Sequence, residues 1–180
     1  MKKKFGVKQI TLLAMLLALA LVLSIAESFI PFGVPGLKIG LANMVILLAI
    51  YYFGFWIALA IDVLRVVISS IALGTFLAMG FAMSMAGALL SFFIMYSFYR
   101  WLKIFTPVGT SVAGAYSHAL AQILVGVVYL GTWGVFYYFP VMALASLITG
   151  TFNGFVVELI LGNKYLSTAI GYVKREDNIA

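Results

Sequence analysis

Residues 55–73 read FWIALAIDVLRVVISSIAL. Nineteen residues run without a glycine, a proline or a polar gap, and only Asp62 and Arg65 carry charge. A helix of about 20 such residues, rising 1.5 Å each, matches the ~30 Å hydrocarbon core of a bilayer. The apolar positions do not alternate in pairs, so a transmembrane β-strand is a poor fit. The stretch reads as a membrane-spanning helix. Asp62 and Arg65, three positions apart, fall on one side of it.

The rest of the chain repeats this pattern. Of 180 residues, 65% are hydrophobic and 9% are Asp, Glu, Lys or Arg. Soluble domains carry about 25% charged residues, so the bilayer is the solvent this composition suits. We expect an all-α integral membrane protein, one domain over 1–180, with six transmembrane helices. The spans fall at about 9–30, 40–53, 55–73, 76–99, 107–130 and 135–161, followed by a cytoplasmic tail over 162–180. The N-terminal Lys2-Lys3-Lys4 and the apolar run after it resemble a signal peptide. That run is long enough to span, and no small-residue cleavage site follows clearly, so it reads as a retained first helix. Pro31–Gly36 (PFGVPG) ends it, because two prolines and two glycines cannot continue a helix. The second segment, at about 14 residues, is short for a crossing.

Six spans put both termini on one side. Lys2, Lys3, Lys4, Lys8, Arg100, Lys103, Lys164, Lys174 and Arg175 then share that side, and Lys38 lies opposite. Basic loops face the cytoplasm, so both termini are expected there. The net charge of +6 thus reflects orientation and contact with anionic membrane lipid, not nucleic acid. Aromatic clusters at Tyr51–Phe53, Tyr96–Trp101 and Trp133–Phe139 fit the two interfaces.

Small residues mark helix packing. Gly80, Ser84, Gly87 and Ser91 line the fourth span, and Gly150 and Gly154 the sixth; both sets read as contacts within the bundle. Ala14 and Ala18 form a small-xxx-small face on the first span, and that face is open to docking a partner protein.

Ionisable and polar groups inside a membrane are costly, which makes them candidates for function. For Asp62 and Arg65 two readings stand. They form a self-neutralising pair, or Arg65 presents its planar fork to an anionic ligand while Asp62 orients it. His118 and Gln122 share a face of the fifth span, either as structural hydrogen-bonding groups or as ligand contacts. Asn153 sits between Gly150 and Gly154, as packing glue or as a site residue. Asn43 opens the second span, to cap it or to line a cavity. Glu27 and Lys38 lie near the outer side; they pair, or Lys38 helps close a lid. Glu158, near the cytoplasmic end, reads as structural.

Several chemistries lack their residues. Without cysteine there is no disulfide or thiolate, and the single His118 gives no His-rich metal site. No phosphate-binding glycine loop with Lys and Ser/Thr is present, so the chain does not itself power transport. No aspartate-rich diphosphate motif, Ser/His/Asp set or paired carboxylates stands out. We expect no enzyme activity, cofactor or metal.

Residues 18–31 (ALALVLSIAESFIP) and 35–43 (PGLKIGLAN) carry a family resemblance, with Leu64-Arg65, Gly74–Phe76, Ser117–Gln122 and Leu147–Gly150. Together they resemble the Gx transporter family, labelled heptaprenyl diphosphate synthase component I. The resemblance covers nearly all of the chain, and 35–43 is its most specific part. That family is similar to the substrate-binding S components of energy-coupling factor (ECF) transporters. The resemblance implies an S-component-like bundle in the bacterial cell membrane, with an outer ligand pocket capped by the loop after the first helix. It also implies docking through Ala14 and Ala18 onto a transmembrane coupling subunit driven by two ATPases.

The expected function is capture of a small anionic molecule from outside. Lys38 and Arg65 would supply positive charge; Asn43, His118, Gln122 and Asn153 would add hydrogen bonds. Two other readings remain open. One is a non-catalytic accessory protein of isoprenoid or quinone metabolism, and the other is a secondary transporter working alone.

Overall fold

A single residue, Gly54, separates two helices. The structure, a computed structural model, describes residues 7–30, 37–102 and 105–163. Gly54 has φ +77° and ψ −170°, a combination essentially reserved for glycine. A Cβ at this position would meet nothing within 4 Å, so backbone conformation and not space demands the glycine. Its N–H bonds Ile50 O at 3.1 Å, and its own carbonyl accepts from Ala58 N–H at 3.2 Å. Helix α2 (Asn43–Phe53) therefore passes into helix α3 (Phe55–Ala72) with no loop between them.

Four further α-helices complete the described chain: α1 (Val7–Glu27), α4 (Met79–Arg100), α5 (Pro107–Leu130) and α6 (Phe139–Gly162). A short 3-10 helix, Trp133–Tyr138, leads into α6. Local chemistry sets these limits. Thr106 caps α5 by accepting from Gly109 N–H at 3.3 Å, and Pro107 occupies the first turn, where its missing N–H costs nothing. No strand occurs among the described residues.

Five helical stretches are long and apolar enough to cross a membrane: Gln9–Glu27, Phe55–Ala72, Met79–Arg100, Pro107–Leu130 and Trp133–Gly162. This is the architecture of a helical, multi-pass membrane protein. The expected second span is the exception. Helix α2 has 11 residues, about 16 Å at 1.5 Å per residue, roughly half of a hydrocarbon core. It begins at Asn43 and not at 40, and residues from Asn43 to Ile50 are buried except Met44.

Other boundaries shift modestly. Helix α1 stops at Glu27, with a turn over 28–30, where 9–30 was expected. Helix α4 starts at Met79 and not at 76, because residues 73–78 form a connection held by Thr75 N–H to Ser70 O at 2.8 Å. The expected sixth span divides into the 3-10 turn and α6. The Pro31–Gly36 breaker, Lys2–Lys4, Lys103 and the tail from 164 onward, with Lys164, Lys174 and Arg175, lie outside the described residues.

Two apolar clusters occupy opposite ends of the bundle. One joins Ile46–Ile50 of α2, Ala58 and Ile61 of α3, Phe92 and Met95 of α4, and Val157 of α6. Aromatic edges tighten it, with Tyr51 and Tyr99 centroids 4.7 Å apart and Phe55 and Tyr96 4.9 Å apart. The other joins Leu37, Met83, Ala119, Ile123, Val135 and Met142. Along α4 and α6 the order is the same: apolar, then polar, then apolar. Met83 gives way to Ser84 and Ser91 before Phe92; Met142 gives way to Ser146, Thr149 and Asn153 before Val157. A buried polar layer thus lies between the two clusters.

The small residues act within the bundle, as expected for α4 and α6. A Cβ on Gly154 would stand 2.4 Å from Val108 Cα, and one on Gly150 would stand 2.8 Å from Val112 Cα. Helices α5 and α6 therefore approach backbone to backbone. Ala14 and Ala18 are exposed on the outward side of α1.

Candidate functional site

The polar layer is organised around a short non-helical segment, Leu37–Ala42, which leads into α2. Non-helical backbone inside a membrane bundle survives only where its polar groups find protein partners. Here the partners come from three helices. The Lys38 N–H donates to Gln122 Oε1 of α5 at 3.2 Å. The Ile39 carbonyl accepts from Thr149 Oγ1 of α6 at 3.0 Å, and the Gly40 carbonyl from Asn153 Nδ2 at 3.0 Å. The Leu41 N–H donates to the Glu27 carboxylate at the end of α1.

Gly40 lets the segment come this close. It adopts φ +82°, and a Cβ there would stand 3.0 Å from Asn43 Nδ2 and 4.0 Å from His118 Cδ2. Conformation and space both exclude a side chain.

Charge enters the layer from α3. Arg65 Nε donates to Asp62 Oδ1 at 2.7 Å, and Arg65 Nη2 donates to Asn43 Oδ1 at 3.1 Å. Asn43 Nδ2 in turn donates to Ser91 Oγ of α4 at 3.0 Å. Lys38 Nζ donates to Ser24 Oγ at 3.3 Å, and Ser24 Oγ donates to Ser69 Oγ at 3.3 Å. Among the described residues Arg65–Asp62 is the one ion pair. Glu27 and Lys38 influence each other electrostatically, but each takes a different hydrogen-bond partner. Their direct pairing, one of the sequence expectations, is replaced by anchorage of the 37–42 segment.

The six expected site residues converge on this one place. Relative exposure is 8% for Lys38, 1% for Asn43, 2% for Arg65, 2% for His118 and 0% for both Gln122 and Asn153. Arg65 gives two nitrogens to Asp62 and Asn43, the pairing with Asp62 being one of the two readings of the sequence. Gln122 and Asn153 each spend one end of the side-chain amide on the 37–42 backbone. What remains is unpaired: Gln122 Nε2, Asn153 Oδ1 and the nitrogens of His118 have no hydrogen-bond partner. The Gly87 carbonyl interacts with the imidazole without hydrogen-bond geometry, and it serves at most one of two ring nitrogens. Ser146 Oγ, two turns before Asn153 on α6, is also buried and unpaired. Buried polar atoms are usually satisfied; five of the unpaired atoms gather here, and Thr110 Oγ1 and Ser111 Oγ on α5 are unpaired as well.

A family model described as heptaprenyl diphosphate synthase component I matches residues 16–160. The chain belongs to that family. The component I match takes in the 37–42 segment, all six candidate site residues and Ala18, while Ala14 falls just before it. No curated protein and no solved structure matches the chain.

Sequence reasoning missed Ser24, Ser69 and Thr149 as members of this cluster, and read Glu27 only as a candidate partner of Lys38. Their signal was present: short hydroxyl side chains at helix-face spacing, and one carboxylate at a helix end beside a glycine-rich segment. No group of three His, Cys, Asp or Glu able to hold a metal occurs among the described residues.

Proposed function

We propose that the chain is the membrane-embedded substrate-binding (S) subunit of an ECF-type transporter. It captures a small polar molecule from the outer side and docks onto an ATP-driven coupling module. In this reading the segment Leu37–Ala42 and helix α2 together make the second of six crossings, both termini lie in the cytoplasm, and the protein sits in the bacterial cell membrane. The observation that carries the reading is the convergence of His118, Gln122 and Asn153 on the 37–42 segment with polar atoms left unpaired. A purely structural layer gains nothing from buried, unsatisfied groups. The exposed Ala14 and Ala18 support docking, since a close-packing face is turned away from the rest of the bundle.

The test is mass spectrometry of small molecules released from the gently purified protein, with Gln122→Ala alongside. A stoichiometric polar molecule that disappears in the variant supports capture. Prenyl lipids alone, retained in the variant, favour the second reading, an accessory component of prenyl diphosphate synthesis. That second reading rests on the description of the family.

A further inference from the structure

The formal charges of the polar layer cancel. Four ionisable side chains meet there, Glu27 and Asp62 against Lys38 and Arg65, with exposures of 1%, 1%, 8% and 2%. Each has a protein partner: Glu27 the Leu41 N–H, Asp62 the Arg65 Nε, Lys38 the Ser24 hydroxyl, Arg65 both Asp62 and Asn43. An anion entering this layer would upset that formal balance, and the one cation without a carboxylate in contact, Lys38, already gives its Nζ to Ser24 Oγ. Burying an unpaired charge costs several kcal/mol even after relaxation.

The unpaired atoms are of another kind. Gln122 Oε1 faces the Lys38 N–H, which turns Nε2, a donor, elsewhere. Asn153 Nδ2 faces the Gly40 carbonyl, which leaves Oδ1, an acceptor. An uncharged imidazole at His118 carries one donor and one acceptor. These three side chains, all at least 98% buried, surround the same four-residue stretch, 37–40, and want both donors and acceptors from a partner without charge.

We infer that the ligand of this site is a neutral, amide-like molecule with both a donor and an acceptor edge, held by His118, Gln122 and Asn153 and not by Arg65. The inference rests on the substrate-capture reading and replaces its expected anion. The charged quartet instead fixes the 37–42 segment against which the ligand lies.

The experiment uses the full chain in lipid nanodiscs and two probe pairs that differ by a carboxylate. Uracil and nicotinamide are the neutral members; orotate and nicotinate are the anions. Each is added at millimolar concentration, and thermal unfolding is followed. The expected result is stabilisation by one or both neutral probes and none by the anions. In His118→Phe the ring still covers Gly87, but its two nitrogens are gone. That variant gives up only the contact between the imidazole and the Gly87 carbonyl, so it should unfold at most slightly earlier than the parent without probe, and should bind the neutral probe roughly threefold to tenfold more weakly for each bond removed. Ser146→Ala serves as a second variant with the same expected ligand-free stability. Stabilisation by an anion and not by its neutral partner overturns the inference while leaving substrate capture standing. Undiminished response in His118→Phe also overturns it. No response to any probe counts against both.

Discussion

The main-chain N–H of Lys38 and the side-chain oxygen of Gln122, 84 residues apart in the chain, meet at 3.2 Å. Gln122 is wholly buried, so no water competes for that bond. Replacing it with alanine leaves a desolvated backbone donor. We expect Gln122→Ala to destabilise the protein by about 1–3 kcal/mol and to loosen the 37–42 segment. The chain has no cysteine of its own, so Ile39→Cys provides a single labelling site. Faster maleimide labelling of that cysteine in the Gln122→Ala background is the expected outcome; equal rates in both backgrounds would contradict the anchoring role.

Asp62 and Arg65 stand or fall together. With both side chains at most 3% exposed and Nε–Oδ1 at 2.7 Å, Asp62→Asn leaves the guanidinium without its counter-charge. The expected cost is about 3–5 kcal/mol, read as a lower midpoint in thermal unfolding. The double change Asp62→Asn, Arg65→Gln removes both charges and should recover most of that loss. A double variant as unstable as the sum of its parts would show that the two residues act separately.

The glycines of α4 and α6 should rank by what their missing Cβ would strike. Gly154→Ala meets the Val108 backbone at 2.4 Å, and backbone cannot step aside. Gly87→Ala meets the His118 ring at 2.9 Å, and a ring can shift. Gly162→Ala meets nothing within 4 Å. We expect losses of about 1–3 kcal/mol or more for Gly154, less for Gly87 and close to none for Gly162. Unfolding midpoints in one detergent give the order directly, and a different ranking would reject the close α5–α6 approach.

Ala14→Leu and Ala18→Leu test docking without touching the core. Both residues are exposed, so the isolated protein should keep its stability within about 0.5 kcal/mol. If α1 docks a coupling subunit through this face, affinity capture from the native membrane should lose that subunit in either variant. Loss of stability in step with loss of the partner would mean instead that the alanines pack within this chain.

The long apolar runs made most of the helices legible. Helix α3 ends one residue short of its expected limit and α5 spans its expected 107–130, because a continuous hydrophobic stretch, a proline and a capping threonine are local signals. The convergence of Lys38, Asn43, Arg65, His118, Gln122 and Asn153 was also anticipated, since polar groups in an apolar chain have few other places to go. The Asp62–Arg65 pair was one of two readings of the sequence, but the bonds of Gln122 and Asn153 were not foreseen. Whether Gln122 meets a ligand or the Lys38 N–H depends on a segment 84 residues away, and Asn153 depends on one 113 residues away. No local period encodes that. The early end of α1 is local: the backbone bonds of residues 28–30 tighten to i→i−3, as in Ile30 N–H to Glu27 O at 3.1 Å, just ahead of Pro31.

The one-residue joint at Gly54 has a consequence for biogenesis. During synthesis a helix leaves the insertion machinery for lipid when its own apolar length suffices, and the 11 residues of α2 fall short of that on their own. With no linker to separate them, α2 must wait for α3 and enter beside it as a hairpin. A cysteine placed in α2 should therefore stay open to a water-soluble maleimide in a chain truncated after Gly54, whereas extension through Ala72 should shield it. Timing of assembly is thus written into a single backbone angle.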